Sequence, residues 1–123
     1  MKAEEYEGLV KAGAAPLVLD VRSGFEFNSG HISGAVHAPL SKLLNKASSA
    51  VQSKEDLLLL ICEHGPRAQV ASMLPKLNGY KNVDLLDGHM SYWRSSGKPV
   101  RKVWPGHGAG RSRLFAMSLW SSS

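Results

Sequence analysis

The sequence predicts an α/β domain with a mostly parallel central sheet of four to five short strands and helices on both faces. Strand-like and helix-like segments alternate at short intervals along the chain. The run Leu57-Leu58-Leu59-Leu60-Ile61 is apolar throughout, as a strand buried on both faces must be. Glycine and proline punctuate the segment ends at Gly13, Pro16, Pro39, Gly79, Gly97 and Pro99.

Residues 3–12 (AEEYEGLVKA) read as a short helix whose early acids suit the helix dipole, with Gly13 ending it. Leu17-Val18-Leu19, after Pro16 and closed by Asp20, reads as a buried parallel strand. Residues 22–34 are polar and turn-rich, with Gly24, Gly30 and Gly34. Residues 35–37 form a second short strand stopped by Pro39, and Ser41 is placed to cap a helix over 42–50. The run 57–61 is the central strand. Residues 67–77 carry apolar side chains at 70, 71, 74 and 77, a helical stripe, and Pro75 should bend its last turn by removing the bond to Ala71. Asn78-Gly79 stops that helix. Residues 83–86 are the last strand, and His89 to Ser96 the last helix.

A chain of 123 residues fits one domain with a real core, and 43% hydrophobic with 20% charged residues is a soluble, globular composition. The single cysteine cannot close an intramolecular disulfide, so a cytoplasmic home is the default expectation. The opening Met1-Lys2-Ala3-Glu4-Glu5-Tyr6 lacks the apolar stretch of a secretory signal, and an apolar run of five residues is too short to span a membrane. The net charge of +5 comes from Lys98, Arg101, Lys102, Arg111 and Arg113; residues 1–97 are neutral. The sequence therefore divides into a body over 1–100 and a basic, apolar tail over 101–123. Within the tail, 106–110 reads as a flexible joint and 111–120 as a segment that packs on the body, self-associates or touches a membrane surface. The body has no basic stripe with interleaved aromatics, so nucleic acid is not an expected partner. The five histidines lack ligand spacing, and no metal is expected.

Cys62 stands at the sharpest junction in the chain. It follows the apolar run and precedes Glu63-His64-Gly65-Pro66-Arg67, after which a helical pattern starts. A thiol at the end of a buried strand, in a tight loop opening into a helix, lies where backbone N–H groups converge. Such a site stabilises a thiolate and binds anions. Asp20, Cys62 and Asp87 each follow a predicted strand, so all three lie toward the sheet edge where α/β folds bind ligands.

Four motifs in order resemble the rhodanese-like domain family. Leu19-Asp20-Val21-Arg22 with Glu26 and Gly30-His31-Ile32-Ser33-Gly34-Ala35 is similar to its opening motif. Cys62-Glu63-His64-Gly65-Pro66-Arg67 resembles its active-site loop, and 79–83 and 86–93 its closing motifs. The resemblance covers roughly residues 3–100 and implies a sulfurtransferase. Cys62 would be the nucleophile that takes a sulfane sulfur from thiosulfate or another donor and passes it, as a persulfide, to an acceptor. Arg67 would brace the loop and add positive charge. The substrate-binding residues would be Glu63, His64, Gly65, Pro66 and Ala68, and the backbone N–H groups of 63–67, apart from Pro66, would cradle the persulfide. Asp20, Arg22, Glu26 and His31 would be structural, with Asp20 accepting loop N–H bonds and Arg22 paired to Glu26.

The four residues between Cys62 and Arg67 make a loop one residue shorter than in the related cell-division-cycle type phosphatases, which fits sulfur rather than phosphate. With no second thiol in the chain, sulfur must leave to an external acceptor. The partners implied are a small sulfur donor and a cyanide, thiol or protein acceptor; no cofactor is called for, and oligomeric state is open. Glu63 places a carboxylate beside the thiol and should repel a dianionic donor, and Ala68 stands where the family often has a hydroxyl. The alternative function is a partner-binding or sulfur-carrier module on the same fold.

Overall fold

Strand β3 (Leu58–Ile61) sits at the middle of the molecule because each of its residues enters a packed layer. Its side chains alternate between faces. Leu58 and Leu60 join Leu19, Leu43, Ala47 and Ala68 in one core, while Leu59 and Ile61 join Ala3, Tyr6, Val18, Met90 and Trp93 in the other. Burying each such leucine contributes about 2 kcal/mol of transfer free energy. The structure is a computed structural model and describes residues 1–103. The joint at 106–110 and the basic, apolar segment at 111–120 lie outside the described residues.

The remaining elements follow in chain order. They are α1 (Ala3–Lys11), β1 (Leu17–Asp20), α2 (Gly24–Ser29), β2 (Val36–His37), a 3₁₀ turn (Leu40–Lys42) and α3 (Leu43–Ala50). After β3 come α4 (Pro66–Ala71), α5 (Met73–Leu77), β4 (Val83–Leu85) and α6 (His89–Ser95). The four strands are all parallel in the order β2-β1-β3-β4. The core containing α3 and α4 residues covers one face, and the core containing α1 and α6 residues covers the other. Helices therefore lie on both faces, as expected. The chain leaves β1 toward β2 on one side and β3 lies on the other, so the β1/β3 boundary is a topological switch point. Asp20 is level with Ile61 across it, which brings residues 21–22 alongside Cys62.

Three local expectations are corrected. The turn-rich stretch 22–34 contains α2, started by a capping box in which Ser23 Oγ accepts the Glu26 N–H and Glu26 accepts the Ser23 N–H. Ser41 caps nothing: it lies inside the 3₁₀ turn, and Lys42 precedes α3 without a side-chain cap. The helix expected over 67–77 is two helices divided at Ser72. Pro75 has no N–H for the Ala71 carbonyl, and its ring crowds that carbonyl, so the break falls upstream of the last turn. The buried face is then Ala68, Ala71, Ser72 and Pro75, while Val70 and Leu77 are exposed.

Beyond the last helix, His31 and Arg101 exchange backbone hydrogen bonds of 3.0 and 2.8 Å, tying residues 101–103 to the α2 end of the body. Among the described residues no helix is long and apolar enough to cross a membrane.

Candidate active site

Cys62 follows β3 directly and is 1% exposed, so its sulfur lies at the floor of the loop formed by 63–65. Gly65 takes φ +125°, a conformation a residue with a Cβ rarely adopts, and turns the chain back so that Pro66 opens α4. The start of α4 has no side-chain cap. Its place is taken by the thiol: Cys62 Sγ accepts the N–H of Gly65 at 3.0 Å and of Ala68 at 3.3 Å. Two fixed donors aimed at one sulfur can hold negative charge that develops there. Of the expected binding set, Gly65 and Ala68 thus supply the N–H groups that reach the sulfur, while His64 and Pro66 are exposed on the outer side of the loop.

The first turn of α6 grips the same peptides from below. Met90 and Ser91 N–H donate to the carbonyls of Cys62 and Glu63 at 3.1 and 3.0 Å, and the Cys62 N–H donates to His89 Nδ1 at 3.1 Å. His89 is buried, and among the described residues it is the one non-glycine with positive φ, +53°. Gly88 before it must be glycine, since a Cβ there would lie 2.3 Å from that of Tyr92. Burial lowers the His89 pKa below its ordinary value, against the opposing pull of Asp87.

The charges are arranged differently from expectation. Arg22 does not pair with Glu26. It turns inward, and its Nε and Nη2 meet the Asp20 carboxylate at 2.9 and 2.8 Å, both side chains being at most 1% exposed. Asp20 also accepts the Arg22 N–H at 3.1 Å, the one backbone N–H its carboxylate holds among the described residues. Glu26, outside on α2, pairs with Arg67 through two bonds of 2.7 and 2.9 Å. The Arg67 guanidinium therefore lies against α2 rather than within the Cys62 loop. That pair holds the Glu26 carboxyl down to about 2 and raises the Arg67 pKa.

Glu63 is not a bare carboxylate beside the thiol. Arg22 approaches it at 3.4 Å from the buried side and Arg94 of α6 binds it from the solvent side. Asp20, Arg22, Glu63 and Arg94 form a chain of alternating sign whose two acids and two bases sum to zero. Glu63 therefore meets an anionic donor as a member of a neutral chain rather than as a lone charge. His31 is structural in its contacts: Nδ1 donates to the Phe27 carbonyl at 2.8 Å and its ring stacks on Phe27 at 3.7 Å. Burial lowers its pKa. Asp87 lies past β4 but is exposed and faces the Met1 amino group at 3.5 Å. Beside the start of α4, Val21, Leu40, Pro66, Arg67, Val70 and Ala71 line a largely apolar open groove of about 470 Å³.

Sequence reasoning missed His89 and Arg94. Both reach the loop from α6, 27 and 31 residues away, and no local pattern marks them. His89 lies inside the motif at 86–93 and Arg94 one residue past it, and the sequence shows the partner of neither.

Comparison with known proteins agrees with this architecture. The rhodanese-like domain family matches residues 2–96. The thiosulfate sulfurtransferase GlpE of Shewanella oneidensis is 32% identical over 79 residues, covering 64% of this chain and 76% of GlpE. The tRNA uridine(34) hydroxylase of Erwinia tasmaniensis is 29% identical over 109 residues, 82% of this chain but 31% of the hydroxylase, so the chain spans about a third of that relative's length. Among solved structures, the Alr3790 protein from Anabaena has a TM-score of 0.76 at 25% identity, covering 90% of this chain and 99% of that one.

Proposed function

Because the chain belongs to the rhodanese-like domain family, we propose that it is a sulfurtransferase working through a persulfide on Cys62. The observation that carries this reading is the pair of N–H donors, from Gly65 and Ala68, on a sulfur at the loop floor. The Cys62 thiolate attacks the sulfane sulfur of thiosulfate or of a persulfide donor. A sulfur–sulfur bond forms to Cys62, the donor's own bond to that sulfur breaks, and sulfite or a thiolate leaves with the electron pair. Cyanide or a thiol then attacks the outer sulfur, and the bonding pair returns to Cys62. Both steps begin or end with negative charge on Sγ, where the two N–H groups hold it.

Glu63 supports a small anionic donor less badly than its charge suggests, because Arg22 and Arg94 share it. The apolar groove beside Arg67 favours an acceptor that brings apolar surface, such as a protein thiol. The rival reading is a module that binds a partner without turning over sulfur. The likeness to a stretch of a larger hydroxylase is what favours it.

Intact mass spectrometry before and after incubation with thiosulfate, or with a low-molecular-weight persulfide, separates the two. A gain of one sulfur atom, reversed by cyanide and absent in Cys62→Ser, supports transfer. No gain with either donor supports the partner-binding module.

A further inference from the structure

The contacts beneath the nucleophile carry an inference beyond the loop itself. His89 Nδ1 accepts the Cys62 N–H at 3.1 Å, and an acceptor nitrogen carries no proton, so the ring is neutral with its hydrogen on Nε2. The other edge of the ring packs on the loop's turning point: a Cβ built at Gly65 would lie 3.3 Å from both Cδ2 and Nε2. The backbone holding this ring is at φ +53°, a conformation that costs energy for any side chain but is least costly for Asn, Asp and His. A buried imidazole is thus wedged between the nucleophile's peptide and the glycine whose N–H reaches the sulfur.

We infer that His89 is a positioning residue for Cys62: its unprotonated Nδ1 fixes the nucleophile's peptide, and protonation of the ring releases it. This rests on the reading of Cys62 as the nucleophile. A protonated Nδ1 is a donor facing a donor, so the Cys62 N–H loses its partner and the loop loses its lower anchor. The titratable and charged groups around the ring are Asp87 on the approach to α6, His64 and Cys62 on the loop, and the amino group of Met1. Asp87 favours the charged ring; His64, the amino group and burial oppose it, and the neutral form prevails at neutral pH.

The test is the rate at which methyl methanethiosulfonate modifies Cys62 in the full chain between pH 4.5 and 8, for the wild type, His89→Gly and His89→Asn. Gly removes the acceptor and relieves the backbone. Asn also tolerates positive φ, and its Oδ1 lies where Nδ1 does, so it accepts the same bond without titrating. His89→Gly should react about fivefold more slowly at pH 7.5, the loss expected of one positioning hydrogen bond. His89→Asn should restore most of that rate. On the acid side the wild type should lose rate more steeply than His89→Asn, by the one proton that the ring takes up. Nitrogen-15 shifts of the wild-type histidines at pH 7.5 should show His89 as the Nε2–H tautomer. An Nδ1–H tautomer, an acid limb unchanged in His89→Asn, or an undiminished rate in His89→Gly would each overturn the inference. A wild-type Cys62 inert to the reagent at pH 7.5 would instead overturn the nucleophile reading and take this inference with it.

Discussion

Arg67 and Glu26 are joined by two hydrogen-bonded ion contacts of 2.7 and 2.9 Å, which tie the helix that follows Cys62 to the helix that follows β1. The contact is non-local, 41 residues apart, and half open to water on the arginine side. Its stabilisation is therefore modest, about 1 kcal/mol for an exposed bidentate pair. Glu26→Gln should lose that amount. The Glu26 carboxyl is held down at about 2 from an ordinary 4.5, so the contribution is whole above pH 4.5 and lost as pH falls through about 2. Denaturant titrations of both proteins should differ at pH 6 and converge near pH 2; a constant difference would assign the effect to something other than the ion pair.

Glu63 and Arg94 set the charge at the mouth of the loop. Glu63→Gln leaves Arg94 unneutralised, and the KM for thiosulfate should fall about threefold, the ~0.6 kcal/mol expected of one charge in a partly solvated site. Arg94→Gln should raise KM by a similar factor, and the double variant should return near the wild type. High salt should shrink all three effects. If Arg94→Gln leaves KM unmoved, the neutralisation of Glu63 by Arg94 is irrelevant to the donor.

Gly65→Ala probes the backbone that delivers the N–H to sulfur. A Cβ at φ +125° is strained in itself and would press on the His89 ring at 3.3 Å. The variant should lose about 2 kcal/mol of stability. Persulfide formation should slow by at least roughly tenfold as the Gly65 N–H turns from Sγ. Stopped-flow measurement of sulfite release checks this; an unchanged rate with the stability loss would detach that donor from the chemistry.

The parts of this protein legible in the sequence are those set by local periodicity and punctuation. The uniformly apolar β3, the glycine stop at Gly79 and the thiol at the strand end are all readable because each depends on neighbours within a few residues. What escaped is instructive. Gly24, Gly30 and Gly34 make 22–34 look like turns, yet Ser23 and Glu26 form the S-x-x-E capping box that starts α2. Arg22 and Glu26 sit four apart, as an ion pair on a helix would. Arg22 instead lies at a bend just past β1 and turns into the core, while Glu26 faces outward on α2, so each finds a different partner. His89 and Arg94 matter through chain crossings that no window of sequence contains.

Stability should fall below neutrality before any of the perturbed carboxylates respond. Burial lowers the pKa of His31 and His89 from 6.5, so below that value the unfolded chain takes up protons that the native protein resists. The native state is unaffected by these groups above pH 6.5 and loses stability as pH falls below it, by up to about 1.4 kcal/mol per pH unit for each histidine. The window between 6.5 and 4.5 isolates them from Glu26, Glu4 and Asp84, whose shifts act lower. Urea midpoints at pH 7.5, 6 and 5 should fall progressively, and the His31→Asn/His89→Asn double variant should flatten the slope. A slope that survives in that variant would place the proton uptake elsewhere.

The buried Asp20–Arg22 pair makes a sharper demand, because its partners have no water to fall back on. Arg22→Met leaves a carboxylate that is 0% exposed without its guanidinium, and also removes the donor to the Gly30 carbonyl at 2.8 Å. Breaking a buried pair from one side costs about 3–5 kcal/mol. Removing both charges together, Asp20→Leu with Arg22→Met, should recover most of that loss, since the cost lies in the stranded charge more than in the missing attraction. The Gly30 carbonyl and Glu63 still lose a donor, so recovery should stop short by about 1 kcal/mol. Chemical denaturation of the two single variants and the double closes the cycle. A double variant as unstable as Arg22→Met would mean that the guanidinium acts chiefly through Gly30 and Glu63, bridging the α2 end to the Cys62 loop, and that Asp20 serves only to orient it.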